Sequence, residues 1–148
     1  MITIRKGTKS DLPRALELIR ELAIYEKAEE EVENTVEQME IDGFGPNPIY
    51  EFIVAENNGH IIGMSMYYYR YSTWKGRRLY LEDLIVTENE RGSGAGKLLL
   101  DETVEIAKRT KCTGVMWQVL DWNEPAINFY KKYGASLDSG WINCNVHF

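Results

Sequence analysis

The apolar positions change period several times along the chain, and each change marks an element. Ile2 and Ile4 alternate with Thr3 and Arg5 in "ITIRKG", the two-residue repeat of a short strand. From Leu12 the spacing becomes three and four. Leu12, Ala15, Leu16, Ile19, Leu22 and Ala23 fall on one stripe of a helix that Ser10 or Asp11 can cap and whose first turn holds Pro13. The acidic run "EKAEEEVENTVEQME" shows no such stripe and reads as polar helix or loop up to the breaker "DGFGPNP", with Glu29 to Glu31 a solvated face. "EFIVAE" and "HIIGMSMYYYRY" then flank Asn58-Gly59, a pair that takes positive φ readily and so predicts a tight hairpin. Its second strand puts Met64, Met66 and Tyr68 on one face and Tyr67, Tyr69 and Tyr71 on the other.

"LYLEDLIV" predicts the next strand, and a glycine loop and a helix from Ala95 to about Lys108 follow it. "GVMWQVL" reads as a further strand. "DWNEPAINFYKKYGA" reads as a helix with Asn123 as cap, Pro125 in the first turn and Gly134 as stop, and "GWINCNVHF" as a closing strand. The order predicts an α/β fold, a mixed and mostly antiparallel sheet with helices on both faces, as a single domain over residues 1–148 with no repeat or linker.

Composition narrows the partners more than the fold. With 44% apolar and 27% charged residues among 148, the chain has the make-up of an ordinary globular protein. A net charge of −6 argues against nucleic acid and suits a cationic small molecule. No apolar run approaches a membrane span, and "MITIRKGTKSD" lacks the long apolar stretch of a signal peptide, so the expectation is a cytoplasmic protein with no membrane partner. Cys112 and Cys144 have no metal spacing and read as reduced thiols. His60 and His147 lie far apart, and no metal is expected.

The candidate chemistry centres on "RGSGAGKLLL". A strand that runs into a glycine-rich turn at a helix N-terminus offers unpaired amides and the positive end of a helix dipole to a phosphate. A Walker loop is excluded because Gly96-Lys97 is followed by Leu98 and the position five before Gly96 is Arg91. A dinucleotide fingerprint fails because the residue three after Gly94 is Lys97. The pattern that fits is Arg-x-x-Gly-x-Gly, with Arg91, Gly94 and Gly96. Upstream, Glu82 and Asp83 interrupt the apolar strand. Adjacent residues of a regular strand face opposite ways, and a carboxylate pair inside a buried strand is costly without a partner or a use.

Together with "DGFG", "YLEDLIV" and "WNEPAINFYKKYGA", the glycine segment resembles the acetyl-CoA pyrophosphate loop of the GNAT superfamily of N-acetyltransferases, and the likeness runs over nearly the whole chain. Within that superfamily the chain is similar to the diamine (spermidine/spermine N1-) acetyltransferase group. The resemblance implies a sheet splayed at its central strands, acetyl-CoA as acetyl donor, a small cationic amine as substrate, and a homodimer. It assigns the cofactor to Leu84, Ile85 and Val86, to Arg91, Gly92, Ser93, Gly94, Ala95, Gly96 and Lys97, and to Asn123, Pro125, Asn128 and Tyr130. It implies Glu82 as the acceptor of the amine proton through water, a main-chain N–H near Leu84 as oxyanion donor, and Tyr130 as general acid at the thioester sulfur. Tyr25, Glu26, Trp74, Glu82 and Asp83 are the implied substrate residues, with Trp141 a further wall.

Polyamine-specific members carry carboxylates where this chain has Ser72 and Ser139, whereas "YSTWKG" and "LDWN" resemble the thialysine-acetylating branch. The expected substrate is therefore a lysine-like amino acid such as thialysine, or a short diamine. Spermidine or spermine, a protein lysine or N-terminus, and a non-catalytic acyl-CoA-binding module are the alternatives. The presence of both Glu82 and Tyr130 counts against the last.

Overall fold

The computed structural model describes residues 1–148, which divide into two compact units, Met1–Trp117 and Gln118–Phe148. The first unit holds one five-stranded sheet: β1 (Ile2–Lys6), β2 (Glu51–Asn57), β3 (His60–Ser72), β4 (Gly76–Val86) and β5 (Val115–Met116). The strands lie in that order, antiparallel through β4, with β5 parallel to β4. Asn58 (φ 52°) and Gly59 (φ 78°) make the hairpin turn between β2 and β3 that their sequence predicts.

Helices α1 (Leu12–Tyr25) and α2 (Val36–Phe44) build the core on one face of the sheet. Leu12, Ala15, Leu16 and Leu18 of α1 join Met39, Phe52, Val54, Met64, Met66 and Ile85 in a single apolar cluster. Asp11 stands at the start of α1, but its carboxylate turns back: it accepts from Thr8 N (2.7 Å) and pairs with Arg5 (2.8 and 3.1 Å). The bonds from Arg5 hold its carboxyl at about 2. Helix α2 runs through the predicted breaker Asp42-Gly43. Thr35 caps it by accepting from Gln38 N (3.1 Å), and it stops at Gly45, where a Cβ would meet Ile41 O at 2.5 Å. The opposite sheet face carries buried Ser65, Tyr67, Leu79 and Leu81, and helix α3 (Ala95–Arg109) covers it.

Two expected strands come out differently. Of "GVMWQVL" only Val115 and Met116 pair, with Leu79 and Tyr80. No residue of "GWINCNVHF" is in a strand, and Trp141, Ile142, Val146 and Phe148 are exposed. Alternation of side chains is necessary for a strand but not sufficient: the backbone needs a neighbouring ladder and the apolar face needs something to pack on. In the second unit, α4 (Glu124–Tyr133) forms as expected. Asn123 Oδ1 accepts from Ala126 N (3.4 Å), Pro125 lies in the first turn, and Gly134 closes the helix at φ 101°. The two cysteines are free thiols, Cys112 partly buried and Cys144 exposed.

Candidate active site

Strand β4 breaks its own alternation at Glu82. Leu81 lies opposite Tyr67 and Asp83 opposite Met66, so two consecutive residues of β3 face three of β4 and Glu82 is the extra one, a β-bulge. A regular strand would send Glu82 and Asp83 to opposite faces; the bulge brings them to the same one. Asp83 shares a face with its partner Met66. Glu82 Oε1 accepts a 2.9 Å hydrogen bond from the hydroxyl of Tyr68, which lies two residues from Met66 and so on that face too.

A third carboxylate, that of Glu26, joins them from the residue that follows α1. Asp83 is partly buried, and its carboxyl is pushed up to about 7, first by burial and then by the negative charges of Glu82 and Glu26. Burial raises Glu26 as well. Tyr68 and Tyr80, rings 5.4 Å apart, are both raised, chiefly by burial and further by Glu82. Three carboxyl groups on one patch attract an ammonium, and one accessible carboxylate among them can receive its proton.

Beside this patch the sheet opens. The pairing of β4 with β5 stops at Tyr80, so the main chain of residues 81–86 has no strand partner on that side. Such an edge leaves N–H and C=O groups free for a ligand. Ile85 is buried in the core and Leu84 lies opposite Ser65 on the α3 face, so of the residues expected along the cofactor these two have only main chain to offer at the edge.

The glycine loop follows directly. Gly92 and Gly94 take φ 82° and 92°, a left-handed backbone that L side chains rarely adopt. Ala95 N is met by Ser93 Oγ (3.4 Å), and the first intrahelical bond of α3 runs from Leu98 N to Gly94 O (3.1 Å). The amides of Gly96 and Lys97 precede that bond at the positive end of a fifteen-residue helix, an arrangement that fits a diphosphate. Arg91 donates from Nε to Val86 O (3.2 Å) and lies over the Tyr25 ring at 5.1 Å, while Lys97 pairs with Asp101 at 2.8 Å on the surface.

The first unit thus gathers Glu26, Glu82 and Asp83, and sets Arg91 over the ring of Tyr25, the residue before Glu26. Trp74 is 86% exposed in the β3–β4 turn, away from the bulge. Asn123, Pro125, Asn128 and Tyr130 all belong to the second unit, where the Tyr130 ring meets Phe129 edge-on at 5.5 Å. Two residues that sequence reasoning passed over matter here. Tyr68 binds Glu82. Glu21 of α1 accepts from Thr87 Oγ1 (3.0 Å) and Glu88 N (2.8 Å), which ties the entrance of the glycine loop to the helix that leads into Glu26. No local signal marks either one, because both contacts join elements distant in sequence.

Comparison with known proteins shows the family and the fold. The model of a family described as "Acetyltransferase (GNAT) family" matches residues 13–135. The thialysine N-epsilon-acetyltransferase of Bos taurus is 39% identical over 142 residues, covering 90% of this chain and 84% of that protein. The spermidine/spermine N(1)-acetyltransferase-like protein 1 of Homo sapiens is 37% identical over 148 residues, 93% of this chain but only 21% of that one. An aminoglycoside acetyltransferase from an uncultured soil metagenomic sample superposes with a TM-score of 0.81 over 99% of this chain and 96% of its own, at 19% identity, a likeness of fold.

Proposed function

The chain belongs to the acetyltransferase (GNAT) family, and from that premise we propose that the acidic patch at the β4 bulge receives a small primary amine, with Glu82 taking its proton. The protein is an amine N-acetyltransferase whose acetyl donor is acetyl-CoA. The observation that carries the site is the bulge: it sets Glu82 and Asp83 side by side, next to a strand edge without a partner.

Bound acetyl-CoA supplies an activated thioester carbonyl. The amides of Gly96 and Lys97, with Gly92 and Gly94 shaping the turn, are the groups we assign to its diphosphate, and the free edge at Leu84 to Val86 to its pantetheine arm. An alkylamine is neutral in only about one part in a few thousand at pH 7, so attack on the carbonyl requires that its ammonium proton leave. Glu82 accepts that proton through water, and Asp83 and Glu26 hold the ammonium near it. A main-chain N–H near Leu84 steadies the carbonyl oxygen as charge grows there. On α4, Tyr130 is the group we assign to protonate the departing sulfur, and Asn123, Pro125 and Asn128 are the residues we assign to coenzyme A.

The substrate we favour is a lysine-like amino acid such as thialysine, or a short diamine. The support is the 39% identity to a thialysine acetyltransferase and the absence of carboxylates at Ser72 and Ser139 that a long polyamine would need. We further propose one domain over 1–148, since the family match crosses both units, acting as a cytoplasmic homodimer without nucleic-acid or membrane partners; no helix is long and apolar enough to cross a membrane.

The test is turnover of thialysine, putrescine and spermidine with acetyl-CoA, followed as thiol release. Acetylation of thialysine or putrescine above spermidine is the expected result. Preference for spermidine would return the polyamine reading, and acetyl-CoA binding without turnover of any amine would make the protein a binding module.

A further inference from the structure

The face of the sheet that carries Glu82 and Asp83 continues into a second, oppositely charged site. Arg70 of β3 lies directly opposite Arg78 of β4, in register. Like charges set opposite each other across a strand pair destabilise it unless something lies between them, and neither arginine has a carboxylate partner. Arg77, the neighbour on the other face, is accounted for by the Tyr69 ring at 4.1 Å. Arg70 donates from Nη1 to the thioether of Met116 (3.1 Å), a weak acceptor, and Arg78 Nε is buried with no hydrogen-bond partner.

The surroundings fix both guanidinium groups. The parallel register puts Gly114 beside Arg78, and a Cβ there would meet Arg78 Cζ and Nη2 at 3.0 Å, so the guanidinium rests on bare main chain. Arg70 leans over the Tyr80 ring at 5.6 Å. Tyr80 and its partner Tyr68 form an aromatic floor with the arginines at one end and Glu82 at the other. Arg78 and Glu82 are four strand residues apart, about 13 Å, and a hydrogen bond at each end of a bound substrate takes up about 3 Å, which leaves about 7 Å between its charged ends. A lysine-like amino acid, fully extended, separates its terminal ammonium from its carboxylate by about 7–8 Å at ordinary bond lengths.

We propose that Arg70 and Arg78 hold the α-carboxylate of an ω-amino-acid substrate whose methylene stem crosses Tyr68 and Tyr80 and whose terminal ammonium reaches Glu82 and Asp83. This rests on the acetyl-transfer reading above and settles its open choice in favour of the amino acid over the diamine. A carboxylate gives charge-assisted bonds to both guanidinium groups, neither of which is paired with an acid, whereas the second ammonium of a diamine would be placed against two cations.

The decisive measurement is the ratio of kcat/KM for thialysine to kcat/KM for its decarboxylated counterpart, which lacks only the carboxylate, in wild type, Arg78→Gln and Arg70→Gln. Loss of a charge-assisted bond should lower that ratio roughly ten- to a hundredfold in each variant. Arg78→Lys should recover part of it, and calorimetric titration of thialysine in the absence of acetyl-CoA should show the same loss of affinity. Both substrates are read in the same protein, and each variant's fold is checked by its urea midpoint so that the ratio is taken from folded enzyme; should one arginine variant misfold, the other carries the test. An unmoved ratio, or a wild type that acetylates the two amines equally well, overturns the carboxylate site and leaves acetyl transfer standing. A wild type that acetylates neither overturns the lysine-like substrate reading and this site with it.

Discussion

At Asp83 a carboxyl is pinned between apolar packing and two other acids, and its pH behaviour follows from that position. In the unfolded chain it titrates near 4; in the folded protein it holds its proton to about 7. Between those values the native state keeps a proton that the unfolded state has released, so stability falls as pH rises through that window and levels off above it. The shift corresponds to on the order of 2–4 kcal/mol. Asp83→Asn stays neutral at every pH. Urea denaturation should find it more stable than wild type by that amount at pH 8 and equal at pH 4; a difference that does not change with pH would contradict the assignment. The same ionisation should appear in function. Only the charged carboxylate attracts an ammonium, so the wild-type KM for the amine falls as pH rises through about 7, and that fall is absent in Asp83→Asn.

Helix α3 places the glycine loop, and a buried hydroxyl pair fastens it to the sheet. Thr103 donates its one hydroxyl hydrogen to Leu99 O (2.7 Å), so in the 2.7 Å contact between Ser65 and Thr103 it is Ser65 that donates. Thr103→Val would leave the Ser65 donor buried and unmatched, at about 1–3 kcal/mol. Adding Ser65→Ala removes the orphan, so the double variant should be more stable than Thr103→Val alone, as read from urea midpoints; a double variant less stable than the single would assign the cost to packing. Elements such as α1, α3, α4 and the β2–β3 hairpin were legible in the sequence because periodicity, caps and Asn58-Gly59 act within a few residues. The pairing limits of β5, the unpaired segment 141–148 and the bulge at Glu82 were not, because each depends on which strand lies alongside. The site divides along the same line. The glycine turn and the helix start behind it show in local chemistry, whereas the bond from Tyr68 to Glu82, the hold of Glu21 on Thr87 and the facing of Arg70 and Arg78 exist only once β3, β4 and α1 are in register.

Over the whole molecule, a net charge of −6 surrounds a site that takes cations, so long-range attraction should add to capture. The size of that attraction depends on the substrate's own charge. A lysine-like amino acid carries +1 at neutral pH and a diamine +2, so in a given surface potential the logarithm of the enhancement for the diamine is twice that for the amino acid. Raising the salt from about 0.01 M towards 1 M shrinks the screening length from about 30 Å to about 3 Å and removes the long-range part while sparing contacts inside the site. If kcat/KM for thialysine then drops about threefold, that for putrescine should drop about ninefold, with kcat nearly unchanged for both. On the proposed carboxylate site, the ratio of kcat/KM for thialysine to that for putrescine should therefore rise with salt, because the diamine loses more of its long-range capture. Equal salt dependence for the two amines, measured as kcat/KM across that range, would mean that the acidic surface has no part in drawing the substrate in, and that capture belongs to the patch of Glu26, Glu82 and Asp83 alone.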